Sequence, residues 1–532
     1  MYPTMDDGMP TFHSTVTHWA AQTPDRLCFR FEDAEFSYRE FDEETNRYAH
    51  GFARLGVQAG DRVAFQLDNG VTAALTVFAL SKLGAIVVPI NTAYNGRFLA
   101  HPIADAGAKI VVIQPRFAAG LAQVKKSIPG VERVVSTGDA VDGFESHRFD
   151  ELRTDFVAQP QLRIDPSEPA FIMYTSGTTG PAKGCLLSHR YVRNTGRQSI
   201  WCHSLTSSDT YWIPTPMFHM GSLIMCIGAV LSVGGTAAIP EKFSVRSFWS
   251  DIEQSKATVT VLVGIMNNYI IDAGATPESE RVRGQLRLIN GAPLSAEMAQ
   301  IYRTRFGVGA AQPAGYGMTE ANPMVTNRIS EMAAPPGSSG RASSYFDIKV
   351  VDQDGHECSP GIAGEILARP RYEQVMMDGY WRNPEATEHV MREGWFHTGD
   401  IGRIDKDGWF YFVDRAKDYI RRGGENISSM EMEEVFLSHP AIEEAAICGV
   451  PGASEDEVKL TAVLREGCLV SPEEICHWST DQVPRFAVPR YVEIRDSLPR
   501  NEVGRVLKYR LKEEGVTPST WDRQGSSATA RS

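Results

Sequence analysis

Amphipathic stretches alternate with short β-rich runs over residues 36–89, and this alternation commits the chain to layered α/β architecture. SYREFDEETNRYAHGFARLG precedes DRVAFQLD, and the apolar run AIVVPIN follows further on. The first stretch carries its own start signal: Ser37 can cap a helix with Glu40 three residues on, while Tyr38, Phe41, Tyr48 and Phe52 contribute to one apolar face. Further α/β units continue to about residue 330. The text then turns strand-rich at 346–351, 364–368 and 408–413. A smaller α+β unit starts near 415, with a helix predicted over 429–438 and strands over 445–450 and 460–464.

A chain of 532 residues exceeds what one hydrophobic core serves. The reading is therefore a large domain over 1–414, made of layered α/β subdomains plus a β-rich subdomain, then a hinge at 415–418 and a small mobile α+β domain over 419–516. The polar end, 517–532, reads as disordered. A net charge of -13 speaks against a surface built to neutralise nucleic-acid phosphates, so nucleic acid is not an expected partner. The eight cysteines form no CxxC pair and the start of the chain shows no basic-then-apolar signal, which together predict reduced thiols in a cytoplasmic protein. The most apolar window, 223–233, falls short of the roughly 20 residues a bilayer requires and reads as a buried helix. No transmembrane segment is expected.

The strongest local signal is YTSGTTGPAKG at 174–184, which follows the apolar strand-like run 170–173. The hydroxyls of Thr175, Ser176, Thr178 and Thr179 join the permissive backbone of Gly177, Gly180 and Gly184 in a donor-rich loop suited to phosphate oxygens, and Lys183 adds a cation. Neither the Walker A order nor a GxGxxG turn is present. A solvent-exposed turn can have the same composition. Later segments narrow the choice.

This loop resembles the signature loop of the adenylate-forming superfamily, which includes acyl-CoA synthetases, peptide-synthetase adenylation domains and luciferases. The resemblance runs from about residue 36 to 512 with its motifs in family order, and the text is similar to ligases of the crotonobetaine/carnitine and fatty acyl-CoA types. It implies ATP, Mg²⁺ and coenzyme A as reactants or cofactors, a small-molecule carboxylic acid as substrate, and a homodimer as the family-level expectation.

Residue roles follow from the same resemblance. His219, in PTPMFHMGS, would line the acyl pocket as a positioner; alone, such a histidine reads as a satisfied core residue. Gly291, Ala292 and Pro293 would form a small-residue turn against adenine, although a plain tight turn has the same text. In GYGMTE, Tyr316 offers a ring to adenine, flanked by Gly317 and Met318, Thr319 a hydroxyl to the α-phosphate, and Glu320 an oxygen ligand to Mg²⁺. Asp400 would accept the ribose hydroxyls, with Arg415 donating to ribose or phosphate. Lys417 matches the hinge residue, and Gly423 with Gly424 the passage of the pantetheine arm.

One position departs from the pattern: the closing segment reads Gly504-Arg505 where the family has Gly-Lys. Arginine keeps the charge but is planar, bulkier and never deprotonated, so the exchange is not conservative at a tight site. Either Arg505 performs the lysine's task, or Lys508 substitutes one turn away, or the activating step is slow. The functional expectation is an acid-thiol ligase that forms an acyl-AMP and transfers the acyl group to coenzyme A. The alternatives are an adenylating enzyme with a different acceptor and an adenylation-impaired binding homologue. The acid itself is not legible; segment 261–269, with Asn267 and Asn268 available for polar contact, and the surroundings of Asn290 are the expected pocket walls.

Overall fold

The computed structural model describes residues 8–525 except 33, 176–180, 264–265, 293, 330–333, 353, 416–418, 423–424, 453–454, 500–505 and 507. Helix Tyr38–Arg54 begins where the sequence signals it. The Ser37 hydroxyl accepts the Glu40 N–H, the Glu40 carboxylate takes the Ser37 N–H, and Tyr38, Phe41, Tyr48 and Phe52 are buried. The apolar window is likewise buried helix, but it opens as a wide π-helical stretch, Gly221–Gly228, before the α-helical turn Ala229–Ser232. Among the described residues no helix is long and apolar enough to cross a membrane.

Two large sheets carry the first part of the chain. Among the described residues, one has seven strands in the order Ala310–Pro313, Leu288–Ala292, Val259–Val263, Thr210–Trp212, Thr236–Ala238, Leu27–Arg30 and Glu35–Ser37. All its pairings are parallel except the last. The other has eight strands and is parallel from Pro169–Thr175 through Ile86–Pro89 and Arg62–Gln66 to Glu145–Arg148. Its opposite end is antiparallel, with Lys183–Ser188 turning back along Pro169–Thr175. The strand-rich text resolves into an antiparallel sheet of Phe346–Val351, Gly364–Pro370, Trp395–Ile404, Met391–Arg392 and Phe410–Arg415.

The C-terminal part has its own core of Ile420, Phe436, Ile447, Leu460, Val492 and neighbours, into which Phe98 from the first part inserts. Arg97 pairs with Glu434 at 2.8 Å beside this contact. The reading of 517–532 as disordered fails over its described portion. Trp521–Asp522 pairs with Tyr491–Ile494 as a fourth strand, and the hydroxyls of Thr517 and Ser519 donate to Glu493 at 2.9 and 3.0 Å. Composition misled here because these polar residues are consumed by one buried carboxylate.

Glu493 also meets Lys459 at 2.6 Å and Arg495 at 2.9 Å. Burial alone would raise its pKa, but the bonds from Lys459, Thr517, Arg495 and Ser519 outweigh burial and hold it at about 2. A folded value below the ordinary 4.5 means that this stabilisation is complete above pH 4.5 and is lost as the pH falls toward 2. Acid titration followed by hydrogen exchange in strand Tyr491–Ile494 should therefore show protection decaying in that window in wild type. Glu493→Gln should flatten this component.

Candidate active site

The hairpin formed by Pro169–Thr175 and Lys183–Ser188 sets Thr175 directly opposite Lys183 at the base of the donor-rich loop. Its close pairing depends on Gly184, where a Cβ would stand 2.6 Å from the Ile172 side chain. Ser176, Gly177, Thr178, Thr179 and Gly180 lie outside the described residues. Glu320, only 8% exposed, comes to this base from far along the chain. Its Oε1 accepts from the Thr175 hydroxyl at 3.2 Å and from the Tyr380 hydroxyl at 2.9 Å, while Lys183 Nζ stands 5.1 Å from the centre of the Tyr380 ring. Thr319 contributes a backbone carbonyl to the Tyr191 hydroxyl at 3.1 Å. Hydroxyls, a carboxylate and a cation thus gather at the base of the loop.

A second group lies along strand Tyr316–Met318, which holds Tyr316, Gly317 and Met318. The Tyr316 ring stacks on Phe410 at 5.0 Å, and its hydroxyl donates to Asp400 Oδ2 at 2.8 Å. An aromatic face and a buried carboxylate are therefore joined, a suitable pair for a base and its sugar. Arg415 stands across the ladder from Asp400. Gly291 and Ala292 do not form the expected turn. They end strand Leu288–Ala292, paired with Leu262 and Val263, because parallel pairing continues to the rim of the sheet. Pro293 lies outside the described residues.

The third group is a cavity of about 560 Å³ with His219 at its mouth. The hairpin of Tyr419–Arg422 and Glu425–Ser428 reaches over from the C-terminal part, and Glu425 Oε1 lies 3.2 Å from His219 Nε2. Gly423 and Gly424, between these strands, lie outside the described residues, as do Lys417 and Arg505. Lys508 is engaged elsewhere, with Nζ 2.6 Å from Glu433 and 2.9 Å from the Ser429 hydroxyl.

Asn267 does not face the cavity. It is buried, donates to the Leu262 carbonyl and accepts from the Tyr302 hydroxyl at 3.0 Å. Sequence reasoning missed Tyr380 and Glu425. Tyr380 carries no motif and sits 60 residues from Glu320, whereas Glu425 adjoins the glycine pair and could have been found there.

The AMP-binding enzyme family profile matches residues 16–381, and that of the AMP-binding enzyme C-terminal domain matches 431–505. A crotonobetaine/carnitine-CoA ligase of Salmonella paratyphi B is 33% identical over 505 residues, covering 92% of this chain and 96% of the relative. Among solved structures, a double mutant of the o-succinylbenzoate CoA synthetase of Bacillus subtilis superposes with a TM-score of 0.80 at 25% identity, covering 94% of this chain and 98% of the other. A fatty acyl CoA synthetase of Mycobacterium tuberculosis gives a TM-score of 0.69 at 26% identity, with coverage of 96% and 99%.

Proposed function

The chain belongs to the AMP-binding enzyme family and is an ATP-dependent acyl-CoA ligase; on that premise we propose how its residues divide the work. The observation that carries the proposal is the His219–Glu425 contact at 3.2 Å, which sets the hairpin just ahead of the second matched region over the cavity of the first.

In the first half-reaction a carboxylate oxygen bonds to the α-phosphorus of ATP as the bond to the β-phosphate oxygen breaks, releasing pyrophosphate. Lys183 and the loop donors from Thr175 to Gly180 neutralise charge on the phosphates, and Thr319 holds the α-phosphate. Tyr316 stacks on adenine against the Gly291–Pro293 segment, while Asp400 and Arg415 hold the ribose. Glu320, with the Thr175 hydroxyl beside it, presents hard oxygen donors of the kind Mg²⁺ takes together with substrate phosphates, and the bound ion would supply further charge neutralisation. His219 positions the acid. In the second half-reaction the thiol sulfur bonds to the acyl carbon, the bond to the phosphate oxygen breaks, and AMP leaves.

The domain assignment follows: 1–414 for adenylation, a hinge at 415–418 centred on Lys417, and a mobile 419–516 that alternates between the steps. The described arrangement, with Glu425 over the acyl pocket, suits thioester formation, with pantetheine passing Gly423 and Gly424. A cytoplasmic location and a homodimer accompany this reading as proposals.

Lys508 is already committed to Glu433, so Arg505 is the better carrier of the adenylation cation. Pyrophosphate release measured over a panel of acids should fall at least about tenfold in Arg505→Ala, equivalent to about 1.4 kcal/mol of barrier, and much less in Lys508→Ala. CoA-dependent AMP release then tests the acceptor. No pyrophosphate with any acid would refute the ligase, and pyrophosphate without CoA-dependent AMP release would favour a different acceptor.

A further inference from the structure

We propose that Tyr211, Asn290 and His203 form a neutral hydrogen-bonding floor in the acyl pocket that selects carboxylic acids bearing a hydroxyl group at the end remote from the carboxylate. The inference rests on the ligase reading and specifies its substrate class.

All three residues line the cavity, with exposures of 0%, 1% and 7% respectively. Each has a buried polar atom with no partner in hydrogen-bond geometry among the described residues, Tyr211 Oη, Asn290 Nδ2 and His203 Nδ1, and the Tyr211 hydroxyl lies beside the Asn290 amide and the Cys226 thiol. A buried polar atom left unpaired is destabilising, and native proteins leave few of them. Gathered on one cavity, the three form a polar patch that a hydroxyl entering the cavity would complete.

The strand register places Tyr211 and Asn290 in depth, and the His203 ring lies 6.1 Å from that of Tyr211. Tyr211 is level with Val259, whereas Asn290 is level with Val261, so Tyr211 sits one pleat repeat further from the strand ends than Asn290. His219 follows Tyr211 past the end of its strand, and substrates enter parallel sheets at the carboxyl ends of the strands. The carboxylate thus belongs at His219, and the far end of the acid at Tyr211.

The chemistry of the floor is defined by its neighbours. Gln312, anchored on the Asn327 carbonyl at 3.1 Å, donates to Asn290 Oδ1 at 3.3 Å, which leaves the Asn290 N–H groups as donors toward the cavity. Burial, helped by nearby Arg287, lowers His203 to about 3, so its ring is neutral. With its proton on Nε2, the ring accepts at Nδ1. Tyr211 can donate or accept. A hydroxyl both accepts from Asn290 and donates to His203, so it satisfies the floor in a way that a methyl group cannot. A quaternary ammonium head, as in carnitine, can do neither. The carboxylates lining the cavity, Asp68, Glu241 and Glu425, all lie beyond strand ends or on the overlying hairpin, away from the floor.

The test compares matched acids with the full chain, ATP, Mg²⁺ and CoA: para-hydroxyphenylpropanoic against phenylpropanoic acid, ω-hydroxyoctanoic against octanoic acid, and carnitine. Sites built to bond a hydroxyl reject the analogue lacking it by up to about 10⁴–10⁵, so a preference of at least about 10²-fold in kcat/KM is expected for one hydroxylated member over its partner. Tyr211→Phe and Asn290→Leu should each shrink that ratio at least about tenfold, a change that a general loss of folding cannot produce because both acids are read on the same enzyme. Equal activation of hydroxylated and plain acids, preference for carnitine, or an unchanged ratio in both variants would overturn the floor and leave the ligase intact. No pyrophosphate from any of these acids would refute the ligase reading for this acid class, and the floor with it.

Discussion

Replacing Glu320 with glutamine should lower ATP-dependent pyrophosphate release by about 10²- to 10³-fold, the scale on which loss of one preorganised electrostatic group acts. Glutamine keeps the shape but removes the charge. The two hydroxyls that donate to Glu320 Oε1, from Thr175 and Tyr380, would keep an acceptor, so the fold around the hairpin should survive. What disappears is the anionic oxygen proposed for Mg²⁺. The apparent affinity for Mg-ATP should fall as well, and raised Mg²⁺ should restore part of the rate. Thioester formation from supplied acyl-AMP involves no pyrophosphate and should suffer much less. Equal loss in both half-reactions would remove Glu320 from the nucleotide end and make it a structural carboxylate.

A second large effect is expected within the C-terminal part. Lys459→Ala should destabilise the C-terminal part by about 3–5 kcal/mol, because it leaves the Glu493 carboxylate buried without its ammonium partner. The side chains of Lys459 and Glu493 are 0% and 3% exposed, so water cannot replace the lost contact. Arg495 still reaches Glu493, which places the loss toward the lower end of the range. Urea unfolding, with hydrogen exchange read in strands Asp456–Leu464 and Tyr491–Ile494, measures the change. Pairing Lys459→Met with Glu493→Leu should recover much of it, since apolar residues of similar size can replace a buried ion pair. A single substitution costing under about 1 kcal/mol would place the pair with ordinary surface bridges.

Much of the fold was legible because its signals are local. Ser37 and Glu40 announce a helix within four residues, and the run before Thr175 reads as a strand from its apolar text alone. Where partners lie far apart, reading failed. The 517–525 segment looked free until Glu493 was seen to gather its hydroxyls. Gly291 and Ala292 looked like a turn because their strand partners are Leu262 and Val263. Tyr380 was missed because only the folded sheets bring it to Glu320.

The sequence by itself determined the chemistry available and its order along the chain: a donor-rich loop with Lys183, then His219, then Tyr316 to Glu320, then Asp400, with arginine at 505. Residue type and short spacing suffice for that, since caps, turns and phosphate loops are built within a few residues. Only the tertiary structure decided which groups meet and which are left unsatisfied, such as Glu425 against His219, or the unpaired atoms of Tyr211, Asn290 and His203. The reason is physical: burial and hydrogen-bond satisfaction are sums over neighbours, and in a layered α/β fold those neighbours come from strands and helices far apart in the chain.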